Sequence, residues 1–273
     1  GLSRLWFCLR IRKQNYKFVY ISTDGKDRFL DFFKIFGIEK SSLKKITKPT
    51  QFKSVTIPEP SIRLHDYCHL EYKKTIDKIK DNVKKSRIDK VYFSKENIKN
   101  NRAFNEKSIR KVFSKNGFEV FYPEQLNTYK MISILKGCKI LAGTSATNMH
   151  NSIFMDDKKS FICLNRSAHF HPIQTMIEKM KSLKATYVDV FYFSSNKNFG
   201  DQPCLLTPTK YLLNFFVFFK FKFNSIKLYL SFIFCFFKFF SIVQIKYLLM
   251  NKLYHYLVNK KLIRKILGKE KNK

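Results

Sequence analysis

From Lys90 to Met155 the chain reads KVYFSKENIKNNRAFNEKSIRKVFSKNGFEVFYPEQLNTYKMISILKGCKILAGTSATNMHNSIFM, and strand-like and helix-like apolar patterns alternate along it. Asp89 to Ser94 is a β-branched and aromatic run that ends on a polar residue, as a buried strand opening onto a site does. Asn105 then stands at an N-cap position, with Phe104 and Ile109 at the two ends of a hydrophobic staple. Ile109, Val112 and Phe113 form one apolar stripe behind it. Gly117 closes this helix, because glycine accepts the left-handed backbone that follows a last turn, and Phe118 to Tyr122 begins the next strand. Pro123 stops that strand. Thr128 to Lys136 repeats helical spacing through Met131, Ile132 and Leu135, Gly137 reads as its cap, and Cys138 to Ala142 is a third buried strand. Ser160 to Leu164 is a fourth, and a helix follows from Pro172 to about Lys184, proline being suited to a first turn. Such alternation predicts an α/β fold with a parallel sheet, whose ligands bind beyond the carboxyl ends of the strands. The polar loop Gly143, Thr144, Ser145, Ala146, Thr147 lies at such an end.

The flanking regions read differently. Before the alternation come a strand at Lys17 to Ser22, a helix from Asp27 to Phe36 ended by Gly37, and a short strand around Ser54 to Ile57. Beyond Pro58 and Pro60, a charged helix from Leu70 to Lys85 turns Ile76, Ile79 and Val83 inward. The chain therefore divides into an N-terminal half, 1–85, an α/β region, 86–207, and a tail, 208–273. The tail holds twelve phenylalanines and a single acidic residue, Glu270. Lys220, Lys222, Lys227, Lys238 and Lys246 interrupt it, so its longest uncharged run is about half of the roughly 20 apolar residues a crossing helix needs. On a helix Lys220, Lys227 and Lys238 fall within roughly 20° of one another, beside Ser231. A narrow cationic stripe on a broad aromatic helix, followed by Lys260, Lys261, Arg264 and Lys265, predicts an amphipathic tail lying in an anionic membrane surface. The alternative is a helix packed on the domain with its lysines reaching out to water.

At 273 residues the chain has length and apolar content enough for one large domain or two small ones. Its net charge of +33 predicts attraction to polyanions, and an AT-rich genome, which favours lysine codons, is an equally good source of much of that excess. The charge brings nucleic acid into consideration, but no recognisable nucleic-acid module or ordered aromatic and basic sheet motif accompanies it. The six cysteines show no paired spacing such as CxxC, so no disulfide framework is expected, and Cys138 and Cys163, in predicted strands, favour a reduced, cytosolic catalytic region. Leu5 to Leu9 is too short for the apolar core of a secretory signal, and the chain opens on Gly1, as a fragment or a processed product would. His65, Cys68 and His69 lack the further ligands that a metal site needs, and Asp156-Asp157 reads as a turn, so no divalent metal is expected.

The order of a KVYFS strand, an Arg followed by Asn-Glu, GFEVFYPE and GTSxTxxHNxxF resembles the catalytic region of glycosyltransferase family 61, including bacterial capsular polysaccharide enzymes. Arg102, Asn105, Glu106, Gly117, Phe118, Pro123, Glu124, Gly143, Thr144, Ser145, Thr147, His150, Asn151 and Phe154 carry the resemblance, with weaker matches at Leu164-Asn165-Arg166 and from His171 to Gln174. It implies an inverting transferase of GT-B architecture, with two Rossmann-like halves and the nucleotide-sugar donor in the C-terminal one. The N-terminal half is short for such a fold. One departure stands out. The family commonly has Gly where this chain has Ala146, and if that position requires φ > 0 a Cβ there would block close approach to the donor. A degenerate, non-enzymatic anion- or membrane-binding relative is therefore the rival reading.

Loss of a nucleotide diphosphate develops negative charge, which calls for cations and oriented N–H groups. Thr144 to Thr147 supply backbone N–H groups at the start of a helical stretch, and Arg102 and Arg166 supply guanidinium forks for phosphate. Asn105 is open to a capping role or to supporting the site, and Glu106 to ligand contact or to stabilising the first turn through the helix dipole. Glu124 is open to ribose binding or to a turn role. His150, with Asn151, is open to donor contact, proton acceptance or a cap. Glu106, His150 and Asp66 are the candidates for the base, which stays unassigned. The resulting expectation is a cytoplasmic enzyme, peripheral on the inner face of the membrane, acting on a glycan acceptor that is lipid-linked in one version.

Overall fold

The computed structural model describes residues 2–11, 16–22, 27, 29–63, 66–98, 103–168, 170–191 and 204–241. In the N-terminal region α1 (Trp6–Arg10), β1 (Phe18–Tyr20), α2 (Leu30–Phe36), β2 (Leu43–Lys45), the hairpin β3 (Ile62–Arg63) and β4 (Tyr67–Cys68), and α3 (Leu70–Asp81) follow one another. β1 pairs with β2 in parallel. No ladder forms at 54–57. That segment is held instead by side chains from the first helical turns: the Arg4 guanidinium donates to the Pro58 carbonyl, and Trp6 Nε1 donates to Glu59 O at 2.8 Å. Pro58 and Pro60 offer no N–H to a neighbouring strand.

The alternating region forms β5 (Lys90–Phe93), β6 (Ala103–Phe104), α4 (Glu106–Lys115), β7 (Glu119–Phe121), α5 (Thr128–Gly137), β8 (Ile140–Thr144), β9 (Ser160–Asn165), α6 (Pro172–Lys181) and β10 (Lys184–Asp189). Five of these strands make one parallel sheet in the order β10-β9-β8-β5-β7. The chain steps from β5 outward to β7, then crosses back to β8 on the other side of β5 and continues through β9 to β10. That reversal places a topological switch point between β5 and β8, where open α/β sheets bind ligands.

Period-two alternation builds the two faces. Val91, Phe93, Leu141, Phe161 and Cys163 face α3, α5 and α6, together with Leu5, Phe36 and Ile38 from the N-terminal region. Tyr92, Ala142, Ile162, Leu164 and Val188 face α4 and the helices that follow the sheet. The N-terminal region thus shares one core with the sheet. Phe113 is the centre of the second face, its ring meeting those of Tyr92, Phe118, Phe215, Phe216 and Phe221. Full burial of such a side chain is worth about 1.5–3 kcal/mol.

Helix ends explain most of the boundaries. Gly117, with φ 83°, closes α4 in a Schellman turn: its N–H reaches Ser114 O, Phe118 N–H reaches Phe113 O, and the Phe113 and Phe118 rings meet edge to face. Gly137 is no such cap. It is the last helical residue of α5, and a Cβ there would lie 2.5 Å from the Ser86 carbonyl oxygen, so close chain approach selects glycine. α3 stops at Asp81 and α6 at Lys181, both short of expectation. Ser182, at φ 49°, turns the chain after α6 into β10, a fifth strand not foreseen from the sequence.

After β11 (Cys204–Leu205), which pairs with β6, the tail opens with α7 (Lys210–Phe218). Lys220, at φ 53°, ends α7, with Phe221 N–H reaching Phe216 O at 2.7 Å, and a second helix, α8, occupies 225–241. The two helices interrupt the continuous stripe expected through Lys220, Lys227 and Lys238. Expectations for 242–273 lie outside the described residues.

Candidate functional site

β8 and β5 approach so closely at their carboxyl ends that a Cβ on Gly143 would stand 2.9 Å from Phe93 O and 2.7 Å from Met149 Sδ. Glycine is required there by contact. Beyond it Thr144 is buried, and its hydroxyl meets no partner among the described residues. Ser145 knits β8 to β9: its N–H donates to Leu164 O at 2.9 Å, and its hydroxyl accepts from Arg166 N–H at 3.2 Å. Ala146 has φ −170°, extended backbone that any residue adopts, so the feared requirement for glycine is absent. A 3₁₀ helix, Thr147–Phe154, then carries His150 back over the strand ends.

A small crevice lies there, lined by Ser145, Ala146, His150, Asn165, His171 and Tyr187. It sits beyond the carboxyl ends of β8, β9 and β10, to one side of the switch point between β5 and β8. The His150 and His171 rings are 4.4 Å apart between centroids. Burial, with the neighbouring His171 second, lowers the His150 pKa to about 4, so the ring is neutral at physiological pH. Asn165 is held by donation to Asp189 Oδ1 at 2.9 Å. The Tyr187 hydroxyl donates to Glu178, a carboxyl raised above its ordinary range by burial. Gln174 donates to Ser152 Oγ at 3.1 Å, while its buried Oε1 meets no donor among the described residues.

Glu106 occupies the other side of the switch point, at the first residue of α4. Its Oε1 accepts from Lys95 N–H at 3.0 Å, and its buried Oε2 meets no partner among the described residues. Burial raises its pKa to about 7 against the opposing pull of that backbone N–H, the Lys95 charge and the Ser94 hydroxyl. Arg166 is buried and its guanidinium reaches the thiol of Cys204, itself raised by burial and drawn partly back by that cation.

The expected residues thus separate. Gly143, Thr144, Ser145, His150 and Arg166 gather at the ends of β8 and β9, with Glu106 at the end of β5. Asn105 holds the N-cap position, at φ 68°, but its side chain caps no helical N–H. It donates to Leu206 O at 2.9 Å and accepts from the hydroxyls of Ser108 and Ser231, which makes it a junction between α4 and α8. Thr147 is exposed, and Asn151 donates to Asn148 O at 3.0 Å within its own helix. Glu124 is exposed in a single turn after β7, the edge strand, which β5 separates from β8. Asp66 is exposed in the β3–β4 hairpin, 3.7 Å from Arg63. Cys68 of that hairpin touches Met180 near the end of α6, toward the amino-terminal end of the sheet and away from the crevice. Arg102 and His65 lie outside the described residues.

Asn165, His171 and Gln174 entered the sequence reading only as weak matches with no role, and Tyr187 and Glu178 not at all. A polar residue at a strand end, as Asn165 is, was a usable signal. For Tyr187 there was none. The family model for Glycosyltransferase 61 matches residues 2–162, ending within β9. No curated protein matches the chain.

Proposed function

Because the chain belongs to glycosyltransferase family 61, we propose that it transfers a sugar from a nucleotide-diphosphate donor to a hydroxyl of a growing polysaccharide or oligosaccharide, with inversion at the anomeric carbon. The crevice at the ends of β8, β9 and β10 is the observation that carries this reading. In a single displacement the acceptor oxygen bonds to the anomeric carbon, the carbon–oxygen bond to the diphosphate breaks, and its electron pair leaves with the diphosphate. The acceptor proton passes to a base. Arg102, Arg166 and N–H groups at the start of the 3₁₀ helix are suited to the charge on the leaving group. His150 fits donor contact better than proton transfer, since a ring held near 4 is a weak base at neutral pH. In a GT-B reading, residues 86–207 bind the donor and residues 1–85 take the acceptor side, serving capsule or other surface glycan synthesis.

A set of nucleotide sugars screened by ligand-observed NMR, with product detection, tests this on wild type, Arg102→Ala and His150→Ala. Binding and turnover are expected in wild type, with affinity weakened about tenfold or more, roughly 1.4 kcal/mol, in each variant. Absence of both binding and transfer in wild type would sink the reading.

A further inference from the structure

Helix α8 is apolar on two opposite sides, and among the described residues only one of them is packed against the domain. Leu228 and Phe239 are 3% and 4% exposed, and Ser231 between them donates to Asn105 Oδ1 at 2.8 Å, so the stripe 228, 231, 235, 239 faces the domain. On the other side Ile226, Leu230, Ile233, Phe234 and Phe237 are 48–73% exposed, at helical spacing. Contiguous exposed apolar surface of this kind marks an interaction site, unlike scattered single residues.

The surroundings of this face select its partner. Lys227 and Lys238 stand on one edge of it, and Lys220 and Lys222 precede it in the turn after α7. No acidic residue occurs between Asp201 and Glu270. A second copy docked face to face with antiparallel helices would set lysine edge against lysine edge, and in either sense no carboxylate from this part of the chain would pair the lysines. An anionic bilayer satisfies both needs, offering hydrocarbon to the aromatic face and phosphate to the lysines.

We propose that the outward face of α8 is a docking surface for an anionic membrane, with the helix lying in the interface plane. No helix among the described residues is long and apolar enough to cross a bilayer. The docking helix is tied to α4 and its flanks by contacts along its length. Lys222 N–H donates to Asn116 Oδ1 at 2.7 Å at the C-terminal end of α4, Ser231 reaches Asn105 at its N-terminal end, and the Phe239 ring lies 5.3 Å from that of Phe104. α8 therefore runs antiparallel to α4 and along the strand direction. A domain docked this way opens its crevice parallel to the membrane surface, which suits a lipid-linked acceptor; that final step alone rests on the transferase reading.

Co-sedimentation of the full chain with vesicles tests the surface, using phosphatidylcholine alone or mixed with phosphatidylglycerol. Wild type is expected to sediment with the anionic vesicles and far less with the neutral ones. The double variants Phe234→Ser/Phe237→Ser and Lys227→Glu/Lys238→Glu should each lose about tenfold or more in partitioning, while their unfolding midpoints stay near wild type because these side chains are exposed. Undiminished vesicle binding by both variants would overturn the assignment. So would a wild type that ignores anionic vesicles and forms, by light scattering, a dimer that the phenylalanine variant breaks, since the occupant would then be a second copy.

Discussion

The two ends of the parallel sheet treat buried polar groups in opposite ways. At the amino-terminal end Lys181, fully buried, meets Asp157 at 2.6 Å and Asp77 at 3.2 Å. Lys80, also buried, meets Asp156 at 2.8 Å and the Met155 carbonyl at 3.1 Å. These contacts tie α3 and α6 to the turn that leads into β9. At the carboxyl-terminal end Glu106 Oε2, Thr144 Oγ1 and Gln174 Oε1 are buried without a partner among the described residues. Leaving a buried polar atom unpaired costs about 1–3 kcal/mol. Among the described residues the chain thus pairs its buried ammonium groups at one end of the sheet and leaves three buried oxygens without a partner at the other, the end where the crevice lies.

The sharpest way to break this contrast is Asp157→Ala. It strips fully buried Lys181 of its nearer partner and also removes the ion pair with Lys73. Breaking a buried pair from one side costs about 3–5 kcal/mol, and here the lower part of that range applies because Asp77 remains and Asp157 is partly exposed. Denaturant unfolding measures the loss. Nucleotide-sugar affinity of the folded protein should be unchanged. A fall in affinity matching the fall in stability would show that the two ends do not divide the work.

Glu106→Gln probes the unsatisfied end. The Glu106 carboxyl is raised by burial from 4.5 to about 7, so the folded chain binds more protons than the unfolded chain between those values. Its favourable contribution is complete below about pH 4.5 and is lost as pH rises toward and through 7. The neutral variant should match wild type near pH 4 and exceed it by about 3 kcal/mol near pH 8. His150 acts with the opposite sign, losing stability as pH falls from 6.5 toward 4, so the signature lies in the difference between variant and wild type. A gap that stays constant from pH 4 to 8 would mean that folding leaves the Glu106 pKa unshifted.

The same division explains what could be read in the sequence. The alternation was legible because Gly117 and Pro123 punctuate it and because strand residues such as Val91 and Tyr92 alternate between two faces. β10 was missed because the apolar spacing of α6 runs on through Leu183 and hides where Lys184 begins a strand. In the site, Ser145 and His150 followed from their place after a strand. Their neighbours His171 and Tyr187 reach them only through the register of β9 and β10, which no local pattern encodes. The lysine stripe of the tail assumed one continuous helix, and the left-handed backbone at Lys220 divides it, although Lys227 and Lys238 do share an edge of α8.

The smallest expected effect is the most pointed test of the crevice. Ala146 departs from the glycine common in the family, and that departure would disable the site only if the backbone there were left-handed. It is extended, and Ala146 lines the crevice with its Cβ already accommodated. Ala146→Gly should therefore leave stability within about 0.5–1 kcal/mol of wild type, the loss coming from added freedom in the unfolded chain, and should change the transfer rate by less than about threefold. A large gain in turnover with unchanged affinity would mean that this loop adopts a second, left-handed conformation during catalysis.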